Sequence, residues 1–97
     1  MTFDMTKVIP KEKMIKVITD LQIVDGAVAT QAKGESQQSK YAQVYLDYVL
    51  KENNITKEEL DESIRYYAYH IEELDKIYEQ VIINLSKTES EIKKEKD

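Results

Sequence analysis

The scarcity of turn-forming residues is the feature that most restricts what this chain can fold into. Two glycines and one proline are spread over 97 residues. An all-β domain of this size needs many turns, which this composition cannot easily supply. Hydrophobic residues make up 41% of the chain and charged residues 34%, which is too apolar for a disordered chain and too charged for a membrane-embedded one. We therefore expect a single all-α domain.

Apolar residues recur at helical spacing in four segments, and these segments predict a small antiparallel bundle of three to four helices. In the first helix Pro10 suits the first position, and Gly26 offers a place where another helix could approach closely. The stretch Thr56-Lys57-Glu58-Glu59 reads as a capping box that begins the third helix. Whether the third and fourth helices are continuous through His70 is left open. The predicted helices cover residues 10–32, 38–53, 57–69 and 71–92.

The same pattern divides the chain into three parts. Residues 1–8 are expected to be a flexible arm, residues 9–86 a single helical domain, and residues 87–97 a charged, frayed helical tail. Ala32 is placed on the apolar stripe of the first helix, and Ile92 is the one apolar residue of the last twelve.

The second helix is apolar on two sides, which is typical of a helix with two partners. Its main stripe is expected to comprise Tyr41, Val44, Tyr45, Tyr48 and Val49. Leu46 and Leu50 lie on the opposite side, and no stripe within the chain includes Tyr66 or Tyr69. These four residues (Leu46, Leu50, Tyr66 and Tyr69) are therefore the candidate interaction surface.

Composition and charge argue against several classes of function. The absence of cysteine excludes disulfides and thiolate metal sites, and the single histidine, His70, excludes a two-histidine zinc site in one chain. No phosphate-binding loop or nucleophile–base motif is present. The net charge is −5, and residues 35–97 hold fifteen acids against nine basic residues, which disfavours nucleic-acid binding. We expect no enzyme activity, no cofactor and no metal.

Two acids of the first helix are the most unusual polar residues. Asp25 falls near the centre of the apolar face, between Leu21 and Val28, and Asp20 lies at the edge of that face. An acid at such a position is costly unless it accepts hydrogen bonds. Because the two acids point well apart on one helix, they are not expected to share a metal or acid–base site. The sequence instead predicts a polar network in the core, formed by Asp20, Asp25, Ser63 and Tyr67.

A cluster of acids in the second half of the chain could in principle attract calcium. Calcium prefers six or more oxygens from a turned loop, whereas most of these acids fall on outward helix positions. A solvated face is the better interpretation. The cluster comprises Glu58, Glu59, Asp61, Glu62, Glu72, Glu73 and Asp75.

The order of several short motifs resembles an uncharacterised domain family found in small predicted lipoproteins of Bacteroidetes. The corresponding stretches are IPKEKM, TDLQIVDGA, NNITKEELDESIRYY and DKIYEQV, within about residues 8–86. The resemblance implies an all-helical domain without an established activity, exported and lipid-anchored on the periplasmic side of a membrane. The chain itself contains neither a signal peptide nor the cysteine that such an anchor uses. It also departs from the family at Ile71, where a proline often follows the two tyrosines.

These observations favour a non-enzymatic helical interaction module that binds a protein partner or a second copy. The membrane would be contacted only through a lipid anchor that this chain lacks. The alternative is binding of a small apolar ligand or peptide in a groove between helices, with Asp25 and Tyr67 as its polar floor. An enzyme that uses Asp25 or His70 ranks last.

Overall fold

A computed structural model gives a bundle of four α-helices. It describes the backbone of residues 2–31 and 33–95 and the side chains of residues 2–29 and 33–87. No strand occurs within this described part of the chain. The helices are α1 (Lys11–Gln31), α2 (Glu35–Glu52), α3 (Lys57–Tyr69) and α4 (Ile71–Glu95).

The all-α prediction is confirmed, and the helix boundaries agree closely. The third helix has the predicted bounds, and its start is set by a capping box in which Thr56 and Glu59 form reciprocal hydrogen bonds. The second helix begins at Glu35 rather than at residue 38. The sequence predicts a loop for this polar first turn, because the turn has no apolar residue to mark a buried face. Gly34 precedes it with a φ of 101°, a conformation that suits glycine. Ala32 and the side chain of Ile92 lie outside the described residues.

His70 separates α3 from α4, which settles the question of continuity. Its φ of −116° and ψ of 67° leave the helical region, and its backbone N–H donates to the Tyr67 carbonyl oxygen. The backbone N–H groups of Glu73 and Leu74 donate to the His70 carbonyl oxygen and start the next helix. The single-residue break therefore turns the chain without leaving these backbone groups unpaired.

The hydrophobic core lies between α1, α3 and α4. Helix α1 packs against both α2 and α4, and α3 packs against α4. The core side chains come from these helices and from the segments before α1 and α3. They are Ile9, Met14, Val17, Ile18, Ile55, Leu60, Tyr67, Ile77 and Val81.

The segment before α1 turns back onto the end of α3. The Phe3 ring makes edge contacts with Tyr66 and Tyr69, at centroid distances of 5.5 and 5.6 Å, and Arg65 lies over it. Ile9, at the end of this segment, is buried in the core. The segment predicted to be a flexible arm therefore has defined contacts along α3.

Helix α2 turns a different side toward the core than the sequence predicts. Val49 is buried, and Leu46 and Leu50 are half-buried against the core, whereas Val44 and Tyr48 are largely exposed. The prediction that Leu46 and Leu50 form an outward surface is therefore wrong. The aliphatic side packs against α1, while tyrosines can flank such a contact and keep their hydroxyls in water.

The role suggested for Gly26 is also corrected. Gly26 is exposed, and a Cβ atom added to it would meet nothing within 4 Å. No helix approaches closely there.

Candidate binding groove

Ser63 and Tyr67 are brought together, as predicted, and both bind the backbone of one residue. The Ser63 hydroxyl oxygen accepts a hydrogen bond of 2.7 Å from the Ile9 N–H, and it donates to the Glu59 carbonyl at 2.6 Å. The Tyr67 hydroxyl donates to the Ile9 carbonyl at 2.7 Å. Both side chains are buried. They therefore satisfy the polar groups of the segment that enters the core ahead of α1.

The environment of Tyr67 favours its neutral form. Burial raises the pKa of the Tyr67 hydroxyl above its ordinary value of 10.0, and the charge of Glu73 and the neighbouring Tyr66 hydroxyl raise it further. The hydroxyl consequently stays a hydrogen-bond donor to Ile9 throughout the neutral pH range. Its role is structural, because its proton is committed to the backbone.

Asp20 belongs to a separate polar cluster between α1 and α2. Its carboxylate accepts from Lys16 Nζ and from Asn53 Nδ2, each at 3.0 Å. Asn53 is buried, and its amide group also donates to the Val49 carbonyl and accepts from Lys16. The cluster fixes the end of α2 against α1. Sequence reasoning placed Asn53 at the helix end but missed its buried contacts.

Asp25 does not lie in the core, so its place in the predicted network is wrong. It is exposed and lines a shallow depression between α1 and α2, together with Val24, Val28 and Leu46. The helical wheel placed it on the right face of α1. This part of α1 packs against α2, but the contact leaves the Asp25 side chain exposed to solvent.

The two tyrosines predicted to form an interaction surface differ in their contacts. The Tyr66 ring is half-buried and stacks on the His70 imidazole, with 4.1 Å between the ring centroids. His70 Nδ1 lies 2.7 Å from the Tyr66 carbonyl oxygen. Tyr69 is 63% exposed, although its ring touches Phe3. Of the four candidates, Tyr69 alone is mainly exposed to solvent.

An apolar groove runs between α1, α3 and α4. Its volume is about 210 Å³. Core side chains form its floor, with Gln22 the sole amide among the residues that line it. The lining residues are Met14, Ile18, Leu21, Gln22, Leu60, Ile64, Tyr67, Ala68, Leu74 and Tyr78.

Large apolar side chains on the edges of the groove remain exposed. Ile64 of α3 is 50% exposed and Tyr78 of α4 is 42% exposed. One turn beyond Tyr78, Ile82 is 62% exposed. Side chains four residues apart on a helix lie on the same face, so Leu74, Tyr78 and Ile82 form one stripe. We call Ile64, Leu74, Tyr78 and Ile82 the apolar edge.

The groove and the depression beside α2 meet at α1, because Leu21 and Gln22 line both. Tyr67 and Asp25 nevertheless do not form a common polar floor. The Tyr67 hydroxyl is bound to Ile9, and Asp25 lines the depression rather than the groove. The groove is thus lined mainly by carbon and offers shape rather than polar contacts.

Three of the seven acids considered for calcium binding have local roles. Glu59 closes the capping box, Glu62 pairs with Arg65 at 3.1 Å, and Asp61 pairs with Lys57 at 3.5 Å. Within the described part of the chain, no three His, Asp or Glu side chains are grouped to hold a metal ion.

The sequence offers a groove between helices as an alternative, with Asp25 and Tyr67 as its floor, but the signal for the residues of the apolar edge is weak. The stripe through Leu74, Tyr78 and Ile82 was visible as one face of a helix. Periodicity does not tell whether a neighbouring helix covers such a face. In the structure this stripe is only partly covered, since Tyr78 and Ile82 remain exposed.

None of the described helices is long and apolar enough to cross a membrane.

Comparisons with known proteins identify a family for this chain. No curated protein and no solved structure matches the chain at a significant level. The model of one protein family matches residues 6–91, a stretch that includes all of α1, α2 and α3 and most of α4. The chain therefore belongs to the family described as domain of unknown function DUF4296.

Proposed function

We propose that this domain is a non-catalytic interaction module that binds an apolar segment of a protein partner in the groove between α1, α3 and α4. The observation that carries the proposal is the apolar edge. Ile64, Tyr78 and Ile82 remain substantially exposed beside a recess with an apolar floor. Contiguous apolar surface of this kind is typical of binding sites.

The size of the groove favours a protein segment over a small molecule. Pockets that enclose drug-sized ligands measure about 300–1,000 Å³, and this groove holds about 210 Å³. An apolar cavity of about 150 Å³ holds one benzene molecule. The groove is therefore suited to one or two apolar side chains that anchor a larger partner.

The shape of the apolar edge favours a helical partner. Leu74, Tyr78 and Ile82 extend along α4 for about 12 Å, since a helix rises about 1.5 Å per residue. A partner helix presents anchors at a matching spacing when apolar residues recur at i, i+3, i+4 and i+7. Helix packing of ridges into grooves would then continue the bundle with one additional helix.

A selection from a peptide library tests this proposal. The library contains helical peptides of about 16 residues, with Leu, Ile, Phe or Met at the four anchor positions and uncharged flanks. We expect selected peptides to bind the wild-type protein but to lose at least about tenfold in affinity for Ile64→Glu or Ile82→Glu.

Ile83→Glu is the matched control, because Ile83 is 46% exposed and lies about 100° around α4 from Ile82. It should bind the peptides as the wild type does. If no peptide is enriched, or if Ile64→Glu and Ile83→Glu bind equally well, the groove is not the binding site and the proposal fails.

We further propose that the domain belongs to an exported, lipid-anchored protein on the periplasmic side of a membrane. The support is the sequence resemblance to small predicted lipoproteins of Bacteroidetes. The test is fractionation of cells that express the natural gene, followed by mass spectrometry of the mature N-terminus. A lipid-modified cysteine in the membrane fraction would support the proposal, and an unmodified soluble protein would contradict it.

A further inference from the structure

Acidic residues lie one turn from groove-lining residues on all three helices of the groove. Asp25 of α1 lies one turn after Leu21, Asp61 of α3 one turn before Ile64, and Asp75 of α4 one turn before Tyr78. All three are exposed. Side chains at such spacing are neighbours on a helix surface, so the groove has an acidic rim.

Ion pairs neutralise only part of this rim. Lys57 pairs with Asp61 at 3.5 Å. Asp25 and Asp75 have no ion pair among the described residues. Glu79 follows Asp75 by one turn on the same side of α4 and is also exposed. In the part of the chain that the structure describes, Asp25, Asp75 and Glu79 therefore leave unpaired negative charge beside the groove, in agreement with the excess of six acids in residues 35–97.

We infer that the partner segment is an amphipathic helix with large apolar side chains on one face and lysine or arginine along the flanks of that face. This inference rests on the proposed function and adds the chemistry of the partner. The apolar edge and the groove receive the anchors, and Asp75 and Asp25 face the basic flanks. Opposite charges at the rim of an interface select the partner and speed association.

The same charges argue against the other occupants. Two copies that met groove to groove would bring their acidic rims together, and like charges across an interface are unfavourable. An anionic membrane surface attracts basic segments and repels an acidic rim. A basic helix is the occupant that satisfies both the apolar edge and the rim.

Three synthetic peptides test the inference. They share one apolar face, with Leu at i, i+3, i+4 and i+7, and differ only in flanks of Lys, Gln or Glu. At low salt we expect the Lys peptide to bind at least about tenfold more tightly than the Glu peptide, with the Gln peptide between them. Screening at about 1 M salt should reduce the ratio to less than about threefold.

Two charge reversals locate the effect. Asp75→Lys should reduce the ratio of Lys-peptide to Glu-peptide affinity by at least about fivefold. Asp47→Lys changes the net charge equally, but Asp47 is exposed on α2, away from the groove. It should leave the ratio nearly unchanged.

The outcomes separate this inference from the proposed function. If the Gln peptide binds and Ile64→Glu abolishes its binding, but the Lys and Glu peptides bind equally, then the groove is a binding site and the inference about charge is overturned. Equal effects of Asp75→Lys and Asp47→Lys overturn it as well. If none of the three peptides binds, both proposals fail. If the protein instead associates with itself and Ile64→Glu abolishes that association, the groove is occupied by a second copy and the inference of a basic helix is overturned.

Discussion

At the scale of single residues, the structure joins polar side chains to specific backbone groups. Ser63 and Tyr67 bind the N–H and the carbonyl of Ile9 from the same helix. Asn53 connects Asp20 to the end of α2. No buried side-chain nitrogen or oxygen among the described residues lacks a hydrogen-bond partner. Removal of the Ser63 or the Tyr67 hydroxyl therefore leaves a buried backbone group of Ile9 unpaired, which is more costly than the bond itself is favourable.

Tyr67→Phe provides the first prediction, because it removes only the hydroxyl. We expect a loss of about 1–2 kcal/mol in the free energy of unfolding, since the buried Ile9 carbonyl loses its donor. Urea denaturation at pH 7 measures this loss. An unchanged midpoint would mean that water replaces the hydroxyl.

The raised pKa of Tyr67 predicts a pH dependence of stability at the alkaline end. Above pH 10.0 the unfolded chain loses the Tyr67 proton while the folded chain retains it. The folded state then binds more protons, so stability decreases as pH rises from about 10 toward the folded pKa. Between pH 9 and 11 the wild type should lose more stability than Tyr67→Phe. Parallel curves would contradict the role assigned to Tyr67.

A pair of substitutions in α1 separates the two acids that the sequence grouped together. Asp20→Ala should cost about 1–2 kcal/mol, because it removes an acceptor of the buried Asn53 amide. Asp25→Ala should change stability by no more than about 0.5 kcal/mol, as expected of an exposed residue. Both changes introduce alanine into the same helix, so the shared gain in helix propensity cancels in the comparison. Thermal melts of the two variants provide the test, and an equal effect would contradict the assigned environments.

The contrast between Asp20 and Asp25 illustrates a limit of sequence reasoning. A helical wheel gives the face of a residue, and both acids lie on or near the predicted apolar face of α1. It does not tell how deeply the side chain is buried, which depends on where the neighbouring helices end. Ser63 and Tyr67 lie together in the core because Leu60, Ser63 and Tyr67 share the buried face of α3. Their partner Ile9 was not predicted, since a backbone acceptor has no distinctive sequence signal.

At the scale of helices, local signals were sufficient to locate most boundaries. The capping box fixed the start of α3, and Asn54, with a φ of 53°, follows α2 in a left-handed conformation that asparagine tolerates. The orientation of α2 could not be obtained in the same way. Its sequence offers two apolar sides, and packing against α1 selects the one with Leu46, Val49 and Leu50.

The two glycines lead to opposite predictions. Gly26 lies inside α1 with no atom near its Cα that would clash with a Cβ atom, so Gly26→Ala should stabilise the protein by about 0.5–1 kcal/mol. In contrast, Gly34 precedes α2 at a φ of 101°, where a side chain is strained, and Gly34→Ala should destabilise the protein. Calorimetry should show a higher Tm for the first variant and a lower one for the second. A rise in both would contradict the helix start at Glu35.

The break at His70 predicts that proline is tolerated at the next position. Ile71 is the first residue of α4 and is 65% exposed, so Ile71→Pro removes little buried surface and places proline where helices accept it. We expect unchanged or slightly higher stability. Ala68→Pro, three residues earlier and inside α3, should cost about 3 kcal/mol. Circular dichroism melts of the two variants distinguish a break at His70 from a continuous helix, in which both substitutions would be disruptive.

At the scale of the whole molecule, the core does not extend evenly along the bundle. The buried residues of the central cluster come from α1, α3 and α4 and from the segments that precede α1 and α3, but none comes from α2. Val28 and Val49 are buried, and no described side chain between them is. The end of the α1–α2 hairpin thus extends beyond the main core. Sequence periodicity predicted a bundle, but it gave no indication of this asymmetry, because Tyr41 and Val44 continue the apolar pattern of α2 beyond the buried Val49.

This asymmetry predicts two levels of stability within one domain. Regions with few buried contacts open locally at a lower free energy than the core. Native-state hydrogen exchange should give lower opening free energies for the amides of residues 36–46 than for those of Val17 and Val81, by at least about 1–2 kcal/mol. The fully buried Val17 and Val81 side chains place their helices in the core, so their amides should exchange only on global unfolding. Gly26→Ala, which stabilises the hairpin, should raise the opening free energy of residues 36–46 if hairpin and core open separately. Uniform protection across α2 and α4 would instead mean that the bundle unfolds as one cooperative unit despite its uneven core.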